Sequence, residues 1–272
     1  MTIRNRFASH KIRNSIVLGA GIVVIAALAG PYVYIHFIEG PPPKKLSLPT
    51  PSANSATSGA SSAAVNGTWN VSKGSVVGYR VSEKLLGQNS TAVGRTTKVW
   101  GSVVLSGTSI TSATFSVDMA TVVSDQSERN VQFDGRIMDV AQYPTAKFTL
   151  TSPIKLGSSP KEGVITSASA IGELTLHGVT QPITFKVSVE RTSSGLDALA
   201  EIPITFSTWK IDNPSIAGFV TTATSGTLEV LLSTTTGAGN SPSSAGAPTS
   251  SGGGTPITVP STTVPGLKLP PS

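Results

Sequence analysis

The sequence predicts an all-β domain, an antiparallel meander that closes as a barrel or packs as a sandwich. Three observations predict it. Within residues 68–233, short runs alternate apolar and polar side chains; turn signals recur between these runs at short, similar spacing; and only one segment breaks the pattern. Alternate side chains of a strand point to opposite faces, so period two marks a sheet with one dry and one wet face. Strands joined by short turns must then close on themselves or pack against a second sheet to bury the dry face.

Taken in order, "SVVGYRVS" puts Val77, Tyr79 and Val81 on one face, and "TKVWGSVVLSG" supplies the next run. "SITSATFSVDM" does the same with Ala113, Phe115, Val117 and Met119. The interruption follows: "SDQSERNVQFDGRIMDVAQYP". Asp125 and Glu128 resemble a capping pair, which predicts a short helix over 127–133 ending near Asp134-Gly135. Tyr143-Pro144 holds the backbone extended as it enters "AKFTLTS". Further runs are "GVITSASAIGELTL", "ITFKVSVE" with Ile183, Phe185, Val187 and Val189 on the dry face, "GLDALAEIPITF" and "SGTLEVLLS".

The flanks have a different character. Residues 15–38, "SIVLGAGIVVIAALAGPYVYIHFI", form an unbroken stretch without Lys, Arg, Asp or Glu. As a helix rising ~1.5 Å per residue it is long enough to cross a ~30 Å hydrocarbon layer. Arg4, Arg6, Lys11 and Arg13 precede it and Glu39 follows, which predicts a cytoplasmic basic N-terminus (1–14), a transmembrane helix (15–38) and an extracytoplasmic remainder. Ala27-Leu28-Ala29 fits a signal-peptidase pattern, yet the apolar run continues past it through Ile38, so an uncleaved anchor is expected. Residues 39–66, rich in Pro, Ser and Ala, predict a disordered linker. Residues 234–272, where Pro, Gly, Ser and Thr make 29 of 39 positions, predict a disordered tail.

Charge and composition exclude several functions. The net +6 comes entirely from the flanks, because 68–233 holds 13 basic and 13 acidic residues. A basic face for a phosphate backbone is therefore not expected on the domain, and no nucleic-acid partner is predicted. There is no cysteine, so no disulfide or thiolate site exists. His177 is the one histidine of 68–233; a metal site needs three or four converging ligands, so His177-Gly178 reads as a strand-end turn and no metal is expected. No Gly-x-Ser-x-Gly, P-loop or dinucleotide fingerprint is present, and Asp134 and Asp139 read as surface carboxylates, so neither catalysis nor a cofactor is predicted.

Four stretches, "TWNVSKGSVVGYRVSEKLLG", "SERNVQFDGRIMDVAQYPTAKF", "IGELTLHGVTQPITFKV" and "FSTWKIDNPSIAGF", resemble the YceI-like family of polyisoprenoid-binding, lipocalin-like periplasmic domains. The specific positions are Arg129, Phe133, Tyr143-Pro144 and Phe148, then Gly172, Leu174, Leu176, His177-Gly178-Val179 and Pro182, and the match covers about 67–233. The resemblance implies an antiparallel β-barrel of about eight strands with a helical segment over one end, an apolar lumen for a polyisoprenoid chain, and binding or carriage without catalytic residues. Gly74-Ser75 stands where many members have histidine-serine, and Asn130 where many have aspartate. The resemblance associates both positions with the ligand's head group.

Large apolar residues of the dry faces and the interruption are the lumen candidates: Tyr79, Phe115, Phe133, Ile137, Phe148, Phe185 and Phe206. Two functions fit. One is a membrane-anchored, extracytoplasmic binder of a polyisoprenoid or similar long apolar lipid; the other is a structural or interaction module of the cell envelope whose barrel is filled by its own side chains. Strand register decides which side chains face inward, and with them the lumen volume that separates the two.

Overall fold

A computed structural model of the chain describes residues 41–49, 66–237 and 239–240. The expected transmembrane helix 15–38, the N-terminus 1–14 and most of the tail lie outside these residues. Among the described residues no helix is long and apolar enough to cross a membrane.

Among the described residues, thirteen antiparallel strands form one sheet. In chain order they are β1 (Gly67–Val71), β2 (Val76–Leu85), β3 (Gln88–Thr96), β4 (Val99–Ser106), β5 (Ser109–Asp118), β6 (Val123–Ser124), β7 (Thr145–Ser152), β8 (Ile154–Lys155), β9 (Thr166–Leu176), β10 (Val179–Arg191), β11 (Leu196–Thr205), β12 (Val220–Thr222) and β13 (Ser225–Thr235). Several short strands are pieces of longer ones. β1 and β2 both pair with β13, at Thr234–Thr235 and then at Thr227–Leu231, so they form one strand broken at 72–75. β3 and β4 continue each other in the same way, pairing with β2 and β1 respectively, and β6 continues β5 alongside β3. The order is thus a ring of eight positions, β1/β2, β3/β4, β5/β6, β7, β9, β10, β11 and β13, with β13 returning to β1. Neighbours in sequence are neighbours in space throughout: a closed up-and-down barrel without free edges in its ring.

The break in β1/β2 is held by hydrogen bonds. Ser75 is buried, its Oγ donates to the Ser233 carbonyl at 3.0 Å and accepts from the Ser233 N–H at 2.9 Å, while Gly74 supplies the positive φ of 97°. Gly74-Ser75 is a bend, away from the interior. Between β9 and β10 the two-residue turn His177-Gly178 has φ of 50° and 72°, the left-handed pair that matches the twist of a tight hairpin. The His177 ring packs edge-on to Tyr143, centroids 4.7 Å apart, with Nδ1 3.3 Å from the Trp209 carbonyl oxygen.

The interruption between β6 and β7 is helical, as its sequence predicts, with two corrections. Helix α1 (Ser127–Gln132) runs on into a π-helical turn over Phe133–Ile137, where Met138 N–H reaches the Phe133 carbonyl at 2.9 Å. The helix therefore does not end at Asp134-Gly135. Asp125 does not cap it either, because Arg129 four residues on takes its carboxylate at 2.6 Å and Gln126 occupies the cap position without a side-chain bond. Asn130 Oδ1 instead accepts from Ser124 N–H at 2.7 Å and from Ser124 Oγ at 2.8 Å, tying α1 to β6.

This segment, the β2–β3 tip, the His177 turn and the β11–β13 connection all lie at one end of the barrel. The opposite end carries the β4–β5 and β10–β11 turns and the loop 156–165. There Trp69, Leu105, Ile110, Ile154, Leu156 and Leu196 pack into a buried cluster that closes the barrel.

Residues 41–49 fall within the stretch expected to be a disordered linker, and for these nine the expectation needs correcting. They lie along the outer wall. Arg80 Nη2 donates to the Pro43 carbonyl at 2.7 Å, Arg95 Nη2 donates to the Lys44 carbonyl, and Lys45 pairs with Glu201 at 3.0 Å. Beneath them Glu229, 1% exposed, receives Arg80 Nε at 2.6 Å and Arg95 Nη2 at 2.7 Å.

Candidate functional site

Inside the barrel lies a cavity of about 510 Å³ with an almost wholly apolar wall. It runs from the closed-end residues Ile110, Ile154 and Leu196 to the helical end, where Gln132, Arg136, Pro214 and Ile216 border it. Glu128, Gln132, Arg136 and Ile216 are solvent-exposed, so the cavity opens between the α1 segment and the loop before β12.

All seven lumen candidates line this cavity. Phe115, Phe148 and Phe185 form a mid-barrel aromatic band: Phe115 stacks on Phe148 at 6.3 Å, and Phe148 meets Phe185 edge-on at 5.5 Å. Tyr79 stacks on Phe133 at 5.2 Å nearer the mouth, with Ile137 and Phe206 in the same apolar cluster. Tyr79, Phe115, Phe148 and Phe185 point inward yet are only half-buried. A ring surrounded by strands keeps accessible surface only when the space in front of it is not filled by other side chains.

Small residues create that space. A Cβ on Gly94 would overlap the Tyr79 ring, and one on Gly172 would overlap Phe148. Both rings therefore lie flat along the wall. Ala92, Ala113, Ala146, Ala170, Ala198 and Ala200 complete the small inward positions. Eight-stranded barrels are narrow enough for side chains to fill, so the open interior follows from these choices of residue.

The YceI-like domain model matches residues 69–234. The chain belongs to the YceI-like family. A UPF0312 protein of Pseudomonas putida is 38% identical over 76 residues, covering 27% of this chain and 36% of that protein. Another, from Pseudomonas savastanoi pv. phaseolicola, is 36% identical over 70 residues, 25% of this chain and 33% of that one. The chain thus spans about a third of the length of the curated relatives it matches. Among solved structures, a polyisoprenoid binding domain from Saccharophagus degradans implicated in plant cell wall breakdown has the same fold: TM-score 0.52, 17% identity, 62% of this chain and 98% of that one.

In this YceI-like barrel, a group of charged side chains gathers at the mouth, and strand periodicity gives no sign of it. Arg129, from α1, pairs with Glu83 of β2 at 3.1 Å as well as with Asp125. This joins the helical segment to the wall beside the Tyr79 hydroxyl. Burial pushes the Tyr79 phenol up to about 12, partly offset by the Arg129 charge. Burial also raises the Asp134 carboxyl, whose Oδ1 has no hydrogen-bond partner among the described residues, while Asp139 adopts a positive φ of 41° at the end of the helical segment. The Arg129–Glu83 contact had one sequence signal, an arginine inside the family's helical motif. Its partner, 46 residues upstream in a strand, had none.

The two positions that the resemblance associates with the head group lie elsewhere. Ser75 and Asn130 are absent from the cavity wall and make the bend and helix-tying bonds described above.

Proposed function

We propose that this chain is a membrane-anchored extracytoplasmic binding protein that holds a polyisoprenoid, or a similar long apolar lipid, in its barrel lumen. The observation that carries the reading is the 510 Å³ apolar cavity with inward aromatic rings that remain half-buried. Its volume lies within the ~300–1,000 Å³ of small-molecule sites, and its wall suits a ligand without polar groups along its length. Polar side chains at the mouth, among them Gln126, Gln132 and Arg136, suit a head group left at the opening. The solved polyisoprenoid binding domain with this fold is consistent with that class of ligand. Anchoring rests on the uncharged stretch 15–38 with basic residues before it.

Energetics suggest how such a site works. Leaving water for the lumen gains ~0.8 kcal/mol per CH₂, but leaving a bilayer gains almost nothing, since lipid tails are as apolar as the wall. The lumen therefore exchanges ligand readily with a membrane and releases it to water very slowly. That is carriage or sequestration, with no bond made or broken. The cavity counts against the alternative of an envelope module with a filled barrel.

The test is to purify the full chain from its native membrane in mild detergent and analyse it by native and lipid mass spectrometry. A stoichiometric isoprenoid, or uptake of added polyprenol, is expected. A protein that carries no lipid and refuses polyprenols refutes the reading.

A further inference from the structure

Around the mouth, large apolar side chains face solvent among the polar ones. Leu86, Val131, Ile216 and Phe219 are 48%, 69%, 43% and 63% exposed. They come from three elements around the opening: the β2–β3 tip, helix α1 and the loop before β12. Leu86 N–H donates to the Phe219 carbonyl at 2.8 Å, and Arg136 Nη2 donates to the Pro214 carbonyl at 3.0 Å, so tip, loop and helical segment are tied into one rim. Leu86 is costly there on two counts. It is solvent-exposed, and its φ of 49° is a left-handed conformation that suits glycine or asparagine and strains a branched side chain. Backbone strain of this kind points to a task at the position.

Residues 41–49 orient that rim. At Pro43 and Lys44 the segment lies beside Arg80 and Arg95, and by Pro49 it has reached Ser72, Thr192, Ser194 and Thr235 near the closed end. Its N-terminal end therefore points toward the mouth. From Arg80 to Leu86 is six residues of β2, about 15 Å along the axis of a barrel tilted ~40°. From Pro43 back to Ile38 is five residues, at most ~17 Å of chain, and Pro41-Pro42-Pro43 keeps its start extended. The two spans match, so an anchor at 15–38 and the rim reach one surface together.

We infer that the rim of Leu86, Val131, Ile216 and Phe219 rests in the interface of the same lipid bilayer that holds the anchor, with 41–49 as the strap that keeps the lumen mouth facing it. A lipid then moves between bilayer and lumen without crossing water. This deepens the binding function proposed above and rests on it. The rim has no basic surplus: residues 83–88, 123–139 and 206–222 hold Lys84, Arg129, Arg136 and Lys210 against Glu83, Asp125, Glu128, Asp134, Asp139 and Asp212. Contact with neutral lipid is therefore expected, insensitive to salt.

The chain has no cysteine, so single labels can be placed freely. We would reconstitute the full chain in phosphatidylcholine nanodiscs with an environment-sensitive fluorophore at Leu86→Cys or Phe219→Cys. Val164→Cys, an exposed apolar residue of the closed end, and Ser193→Cys would serve as comparisons. Mouth labels are expected to be quenched by nitroxide lipids and shielded from aqueous iodide, and closed-end labels the reverse. Replacing 41–49 with nine Gly/Ser residues is expected to return the mouth labels toward iodide quenching. The inference is overturned by mouth labels open to iodide, by lipid quenching at Val164 instead, by quenching that appears only between two copies of the chain, or by indifference to the strap replacement. Polyprenol content measured in the same discs separates the two readings: bound polyprenol with iodide-exposed mouth labels defeats the docking alone, and an empty lumen with lipid-quenched mouth labels defeats the ligand reading alone.

Discussion

An open lumen and a filled barrel respond with opposite signs to the same substitution, Ala198→Phe. Ala198 faces inward from β11, between Val189 of β10 and Leu232 of β13, and borders the cavity. A phenylalanine there carries roughly 120 Å² more apolar surface than alanine, by comparison with the ~150–250 Å² that aromatic side chains bury. At ~25 cal/mol per Å² the gain is about 3 kcal/mol; loss of rotamer freedom and a compact unfolded state reduce it to about 1–2 kcal/mol. For a domain of this size each kcal/mol moves Tm by ~2–4 °C, so an open lumen predicts a rise of about 2–8 °C in thermal unfolding of the lipid-free chain in detergent. In a filled barrel the same ring overpacks the core and costs ~1–3 kcal/mol, a fall of similar size. The ring also occupies ligand space, so polyprenol uptake is expected to drop in the variant that is more stable. A lower Tm together with unchanged uptake would refute the open-lumen reasoning.

Three further outcomes follow from particular contacts. Glu229→Ala leaves Arg80 and Arg95 facing each other without their shared carboxylate; a broken buried pair costs ~3–5 kcal/mol, so calorimetry is expected to show Tm lower by roughly 6–20 °C, with Glu229→Gln losing less because it keeps hydrogen bonds. Folding holds the Tyr79 phenol neutral up to about 12, whereas the unfolded chain ionises near 10, so stability present below pH 10 declines through pH 12. That share, about 2–3 kcal/mol, is expected to vanish from the alkaline unfolding profile of Tyr79→Phe. Both His177→Val and His177→Gly lose the ring's contacts with Tyr143 and Trp209, but only His177→Val forces a β-branched residue into a left-handed turn, so it is expected to be ~1–2 kcal/mol less stable than His177→Gly in urea unfolding, with lipid uptake unchanged in both.

What could be read from the sequence was whatever repeats with the period of a strand. Val77-Tyr79-Val81, Ala113-Phe115-Val117 and Ile183-Phe185-Val187 declared their inward faces because every second residue is apolar, and closure then placed the seven large side chains around one cavity. Features that depend on partners far along the chain were silent. Glu229 sits in a strand where a carboxylate normally marks the solvated face, and nothing nearby reveals that Arg80 and Arg95 cover it from 149 and 134 residues away. The strap has a linker's composition, yet its docking depends on main-chain carbonyls, which composition does not report. Asp125 differs from expectation for a local reason: the helix starts one residue later, with Gln126 at the cap, and Arg129 at i+4 takes the Asp125 carboxylate.

The small inward residues decide function more than the large ones do. Phenylalanines on a dry face are what any β core contains, so the aromatic band alone would fit a filled barrel equally well. Gly94 beneath Tyr79 and Gly172 beneath Phe148 carry the distinction, since each lets a ring lie against the wall that would otherwise project toward the axis. Glycine inside a strand costs stability and packs nothing. A barrel selected only for a solid core would have little use for two such positions and for alanines at Ala113, Ala146, Ala170, Ala198 and Ala200 on the same inner surface. Their combined effect is an aromatic-lined, aliphatic-walled channel whose stability stays below what a packed interior would give. On the proposed function, a bound apolar chain would supply the missing contacts, and ligand occupancy and barrel stability are then expected to be coupled.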